Sequence, residues 1–95
     1  MADSREDIVE NDYVAPEGEL ETAVAAIIAE VLGVDRLGRA DSFYDFGGTS
    51  LQAIRICTRI ETKLGFKAAP LLLFDNDVLA DFVRLLDRSK AVVGE

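Results

Sequence analysis

Three stretches of this chain repeat apolar residues at the spacing of an α-helix, and no stretch alternates convincingly at the spacing of a strand. Leu20, Val24, Ile27, Ile28 and Val31 mark the first, in a run rich in good helix formers that Gly33 is placed to end. They predict a helix over residues 17–32. A second helix is predicted from Ser50 to Leu64, with Gly65 as its stop. A third is predicted over residues 78–89, with Val78, Phe82, Leu85 and Leu86 as its inner stripe and Asp77 as its N-cap. The connector "FKAAPLLLFDND" has room for one short helical turn after Pro70. The predicted fold class is all-α: a small bundle of three main helices plus one short helix, with a long loop between helices one and two.

That loop, Gly33 to Gly48, holds four glycines and three aspartates and shows no sustained period. A loop of this length in a compact domain is usually functional or disordered, and Leu37, Phe43 and Phe46 argue for order by pinning it to the core. The 95 residues, 49% hydrophobic, suit one domain. Cys57 is the single cysteine, so no intramolecular disulfide and no cysteine-based metal site is available. No apolar run is long enough to span a bilayer, and the acidic N-terminus is unlike a secretory signal, which predicts a soluble cytoplasmic protein.

The formal charge of -8 is unevenly spread: residues 1–21 hold eight acids against Arg5 alone, and the remainder is close to neutral. Residues 1–16 are accordingly expected to be an acidic, solvated and flexible leader, 17–90 the folded domain and 91–95 a tail. Removing residues 1–12 should then change stability little. Nucleic acid is excluded as a partner by the lack of a basic face or an aromatic stacking platform.

"FGGTSLQAI", Phe46 to Ile54, sets two glycines and two hydroxyls before the second helix. A nucleophilic serine needs a base, and the chain contains no histidine; Lys63 lies too far along the helix to fold back on Ser50. The surrounding "GTSLQ" is not a nucleophile elbow, and no glycine-lysine-hydroxyl phosphate loop occurs. No catalytic residue is therefore assigned. The plain reading of Thr49 and Ser50 is a helix N-cap, worth roughly 1 kcal/mol.

The helix surface adds to that reading. With Ser50 at zero and about 100° per residue, Ala53, Ile56, Cys57, Ile60 and Leu64 cluster on one core-facing side, whereas Leu51 and Ile54 fall outside it. Two large apolar side chains beside a helix-terminal hydroxyl, with Arg55 and Arg59 beyond them, form a candidate docking patch. The Leu71 to Leu73 segment is a candidate second edge, with Leu72 as its contact residue. Cys57 belongs with the core.

These residues carry a resemblance. "YVAP" before helix one, "EVLGV" at its end, "DSFYDFGGTSL" at the loop, "LGF" after helix two and "LFD" before the last helix resemble a peptidyl carrier protein, the thiolation domain of nonribosomal peptide synthesis. The likeness covers about Tyr13 to Leu86. It implies an acyl-carrier-like bundle in which Ser50 receives 4'-phosphopantetheine from coenzyme A, and a protein that is not itself an enzyme. Tyr44 and Phe46 replace the family's usual phenylalanine and leucine, Thr49 stands where aspartate or histidine is usual, and "DNDV" replaces a proline-threonine pair.

The resemblance implies that an aminoacyl or peptidyl thioester rides on the arm. The implied partners are a phosphopantetheinyl transferase, an adenylation enzyme and condensation or tailoring enzymes of antibiotic-type secondary metabolism, acting on a free-standing monomer with no membrane and no metal. Thr49, Leu51, Ile54, Arg55 and Leu72 form the expected partner interface. Gly47 and Gly48 are expected to keep bulk away from Ser50. Arg55, Arg59 and Lys63 against Glu61 favour the peptidyl class over an acyl carrier of polyketide or fatty-acid type. An unmodified helical adaptor that binds another protein is the remaining alternative.

Overall fold

The computed structural model describes residues 4–9 and 11–93, with side chains to residue 88. Four α-helices are present among them: α1 (Gly18–Leu32), α2 (Ser50–Leu64), α3 (Pro70–Asp75) and α4 (Leu79–Val93). Most of the periodic residues build the core as predicted, but Val78 and Leu85, expected on the inner stripe of the last helix, are half-buried and stand outside it. Val24, Ile27 and Ile28 of α1, Ala53, Ile56, Cys57 and Ile60 of α2, Leu73 of α3, and Phe82 and Leu86 of α4 are all buried. Each helix thus turns one apolar stripe inward and leaves most of its charges in water, which is how a bundle of short helices gains most of its stability.

α1 and α2 stop at Gly33 and Gly65 as their sequences predict, and Pro70 opens α3 at its first turn, where a missing N–H costs nothing. α4 differs from expectation at both ends. It starts one residue later, with Leu79 and Val83 joining the inner stripe, and runs to Val93, through the first part of the expected tail. Gly94 and Glu95 lie outside the described residues. Asp77 does not cap it by its side chain. The Leu79 and Ala80 N–H groups donate instead to the carbonyls of Asp41 and Arg39, at 3.0 Å each, while the Asp77 carboxylate accepts from the Ser42 hydroxyl. Orphan N–H groups at a helix start can be met by any well-placed acceptor, and here the long loop supplies two.

The α1–α2 loop is ordered by that arrangement. Leu37 and Phe43 are buried and Phe46 packs against the core. Ser42 pairs with Val78 in an isolated antiparallel bridge, and Phe43 N–H donates to the Asp77 carbonyl at 2.8 Å. Within the loop Phe43–Phe46 forms a short 3-10 helix, which four residues without a period could not announce.

The N-terminal segment corrects the expectation of a solvated leader. Arg5–Asp7 forms a 3-10 turn, Arg5 is 0% exposed, and the Arg39 N–H donates to the Val14 carbonyl at 2.8 Å. Residues 4–9 and 11–14 are fastened to the loop at Arg5, Tyr13 and Val14, although most of their other side chains are exposed. The acidic composition misled because its single base meets a buried carboxylate, Asp41, that lies 36 positions away in sequence.

Candidate functional site

Ser50 is the first residue of α2, and the loop before it determines how it is presented. Ser42 opens the 3-10 turn by accepting from the Tyr44 N–H at 3.1 Å, and Gly47 closes it with φ 75°, a left-handed conformation in which any side chain is strained. Gly48 then passes against the Phe43 ring: a Cβ there would stand 2.4 Å from the ring carbon Cζ. The two glycines therefore answer to the turn and to close packing on Phe43. Sequence reasoning assigned them to keeping bulk off Ser50, but the constraint on Gly47 is its backbone conformation and that on Gly48 faces inward.

Thr49, and not Ser50, caps α2. Its backbone is extended, its Oγ1 accepts from the Gln52 N–H at 3.4 Å, the long end of the hydrogen-bond range, and its carbonyl accepts from the Ala53 N–H at 2.9 Å. With the cap supplied by its neighbour, Ser50 is exposed and its hydroxyl has no hydrogen-bond partner among the described residues. No acidic side chain occupies the first turn of α2. The positive end of the helix dipole is left uncompensated beside that hydroxyl, an environment that favours an attached anion.

Around Ser50 the surface is apolar. Leu51 is 57% exposed and Ile54 51%, as the helical angles predict. Of the neighbouring α3 residues, Leu71 is the outward one at 64%, whereas Leu72, the expected contact residue, packs half-buried against the core and Leu73 is buried. Tyr44 fastens this second edge: its hydroxyl donates to the Phe74 carbonyl at 2.8 Å. Arg55 is exposed and has no ion-pair partner among the described residues. Arg59 and Lys63, one turn and two turns further on, both face Glu30 of α1, so their charges are partly answered.

Other reactive groups are held away from chemistry. Cys57 is buried, and desolvation, helped by the Glu61 charge, pushes its thiol up to about 11. Glu21 accepts from Arg39 Nε at 3.0 Å and Nη2 at 2.9 Å, and this pairing holds its carboxyl below the ordinary value, with the Glu17 N–H adding to it. That pair ties α1 to the loop. Among the described residues no His, Cys, Asp or Glu cluster could hold a metal ion, and no helix is long and apolar enough to cross a membrane. The residues that sequence reasoning missed are Arg5, Asp41 and Tyr44. For Arg5 there was one signal, a lone base in an acidic run.

The family described as "Phosphopantetheine attachment site" matches residues 22–86. Malpinin synthetase of Mortierella alpina is 37% identical over 87 residues, 92% of this chain and 1% of that protein. The chain spans 1 to 2% of the length of the first curated relatives it matches. Among solved structures, a "Non Ribosomal PCP domain" superposes with a TM-score of 0.69 at 32% identity, covering 75% of this chain and 91% of that one. The peptidyl carrier protein solved in complex with the phosphopantetheine transferase Sfp and coenzyme A gives a TM-score of 0.74 at 26% identity, over 80% of this chain and 99% of that one. With the helical bundle and the hydroxyl at the head of α2, these likenesses show that the chain belongs to the phosphopantetheine attachment-site family, as a peptidyl carrier domain of the nonribosomal peptide type.

Proposed function

We propose that Ser50 is the attachment residue for 4'-phosphopantetheine and that the domain performs no catalysis of its own. The observation that carries this is the division of labour between Thr49 and Ser50: one hydroxyl caps the helix and the next is left exposed and unbonded. In the transfer the Ser50 hydroxyl oxygen forms a bond to the phosphorus bearing the pantetheine of coenzyme A. Adenosine 3',5'-bisphosphate leaves, and the hydroxyl proton passes to a base on the transferase. The chain itself supplies no such base beside Ser50, having no histidine. The open N–H groups at the start of α2 then face the negative charge on the Ser50 ester.

The arm, once attached, supplies a thiol on which an aminoacyl or peptidyl group is held as a thioester. The protein's part is to present that group to separate enzymes at high effective concentration. Leu51, Ile54 and Leu71 would anchor those enzymes, with Thr49 and Arg55 at the rim. The similar carrier solved with a transferase supports that partner for this chain. Adenylation and condensation or tailoring enzymes are the further partners of this reading, with the domain acting as a monomer in the cytoplasm.

The test is intact mass spectrometry after incubation with coenzyme A, magnesium and a broad-specificity phosphopantetheinyl transferase. The parent should gain one phosphopantetheine and Ser50→Ala none, with unchanged helical circular dichroism. An unmodified parent, or a modified Ser50→Ala, overturns the assignment.

A further inference from the structure

Arg5 is the single base among the first 21 residues, and its side chain is wholly buried. Its guanidinium grips Asp41 with two hydrogen bonds, Nε to Oδ2 at 2.5 Å and Nη2 to Oδ1 at 2.6 Å. Nη2 also donates to the Asp12 carbonyl at 3.2 Å, and the Arg5 backbone N–H donates to Asp35 Oδ1 at 2.7 Å. The rest of the segment is fastened as well: the Arg36 guanidinium stacks 3.8 Å from the Tyr13 ring centre and pairs with Glu6. Residues 4–9 and 11–14 thus form a strap whose one buried charge meets Asp41 at hydrogen-bond distance and Glu6 more loosely, Nη1 to Oε2 at 3.6 Å.

Asp41 is the junction at which this strap meets the functional loop. Its Oδ2 also accepts from the Gly38 N–H at 2.8 Å, and its carbonyl accepts from the Leu79 N–H at the start of α4. Two residues on, Phe43 is the surface against which Gly48 rests, and the Gly48 N–H donates to the Phe43 carbonyl at 3.2 Å. Gly48 leads through Thr49 to Ser50. The path from Arg5 to the head of α2 is therefore continuous: the Arg5–Asp41 and Phe43–Gly48 steps are hydrogen-bonded or packed, and short stretches of backbone join Asp41 to Phe43 and Gly48 to Ser50.

Resting on the assignment of Ser50 above, we propose that Arg5 is a positioning residue for phosphopantetheine transfer, fixing Asp41 and through it the Phe43–Gly48 contact that sets where Ser50 stands. A guanidinium fork suits that task because two parallel hydrogen bonds fix the plane of a carboxylate as well as its distance, which a lysine or an apolar group cannot do. Without the fork, Asp41 keeps a buried negative charge with the Gly38 N–H as its remaining side-chain donor, so the carboxylate must turn outward or admit water. Either response shifts the loop whose carbonyls cap α4 and whose phenylalanine seats Gly48. The functional unit on this account begins in the strap and not at α1.

The test compares Arg5→Met and Arg5→Lys with the parent in the full chain, at a temperature where circular dichroism shows each fully folded. Transfer from coenzyme A is followed for kcat and KM, and hydrogen exchange is read at the Gly48 and Ala53 amides. Arg5→Met should lower kcat about tenfold and speed exchange at Gly48, because a small misplacement of a reacting group is costly, while KM stays within about twofold since Leu51 and Ile54 are untouched. Arg5→Lys, which keeps the charge without the fork, should fall about threefold. It carries the test alone should Arg5→Met not fold. Parental kcat and parental exchange in either folded variant overturn the proposal while leaving the Ser50 assignment standing. A parent that accepts no phosphopantetheine removes both.

Discussion

Replacing Leu51 by alanine separates docking from folding, because its neighbour on the same helix, Ile56, provides the opposite case. Leu51 is 57% exposed, so less than half of its side chain contributes to burial, and truncation should cost folding under about 1 kcal/mol. Ile56 is 0% exposed and its truncation should cost about 2–5 kcal/mol, including the cavity left in the core. At roughly 4–8 °C per kcal/mol for a domain of this size, Leu51→Ala should lose a few degrees of Tm and Ile56→Ala roughly ten or more. Binding should show the reverse order. An apolar anchor at the centre of an interface is worth about 1–2 kcal/mol, which is about a fivefold to thirtyfold loss in kcat/KM at limiting carrier. The assay is aminoacyl loading of both variants with arms already installed, at a temperature where both are folded. Leu51→Ala loading at the parental rate, or unfolding as readily as Ile56→Ala, would refute the assignment of Leu51 to the docking surface.

Gly48→Ala should destabilise the domain by about 1–3 kcal/mol in denaturant melts, since its Cβ would stand 2.4 Å from the Phe43 ring, and an unchanged midpoint would contradict that close packing. Acid unfolding should respond to Glu21, whose carboxyl lies below its ordinary value of 4.5 when folded. A depressed pKa contributes stability that is complete above the unfolded value and fades as pH falls through the folded one, so Arg39→Gln should flatten the stability profile below about pH 4.5. Cys57, with its thiol at about 11 and its side chain buried, should resist alkylation at pH 8 until denaturant is added, so labelling of the folded apo-protein would contradict its placement in the core.

How much of this was legible in sequence depends on the range of the interactions. α2 was predicted from Ser50 to Leu64 and is found there, because a clean helical period lay between a hydroxyl cap and Gly65. The outward turn of Leu51 and Ile54 followed from the same period over fifteen residues. α3 spans six residues, too few for its period to fix which leucine faces out, and Leu71 took the place expected of Leu72. The capping of α4 by Asp41 and Arg39 carbonyls, and the clasp of Arg5 on Asp41, join positions 36 or more residues apart, or backbone groups with no sequence signature. Composition marked residues 1–16 as repelling one another. It could not show that one arginine among them had a buried acid to meet.

The central claim, that Ser50 is the single point at which the domain receives its arm, is tested most directly by locating the modification. Trypsin should release Ala40 to Arg55 as one peptide carrying Ser42, Thr49 and Ser50, its three aliphatic hydroxyls, in distinct settings. Ser42 is bonded to Asp77 and Thr49 caps α2, while Ser50 stands free. After reaction with coenzyme A and transferase, fragmentation of that peptide should place one phosphopantetheine on Ser50 and none on the other two. A phosphopantetheine found on Thr49 or Ser42, or on any peptide outside Ala40 to Arg55, would contradict the account.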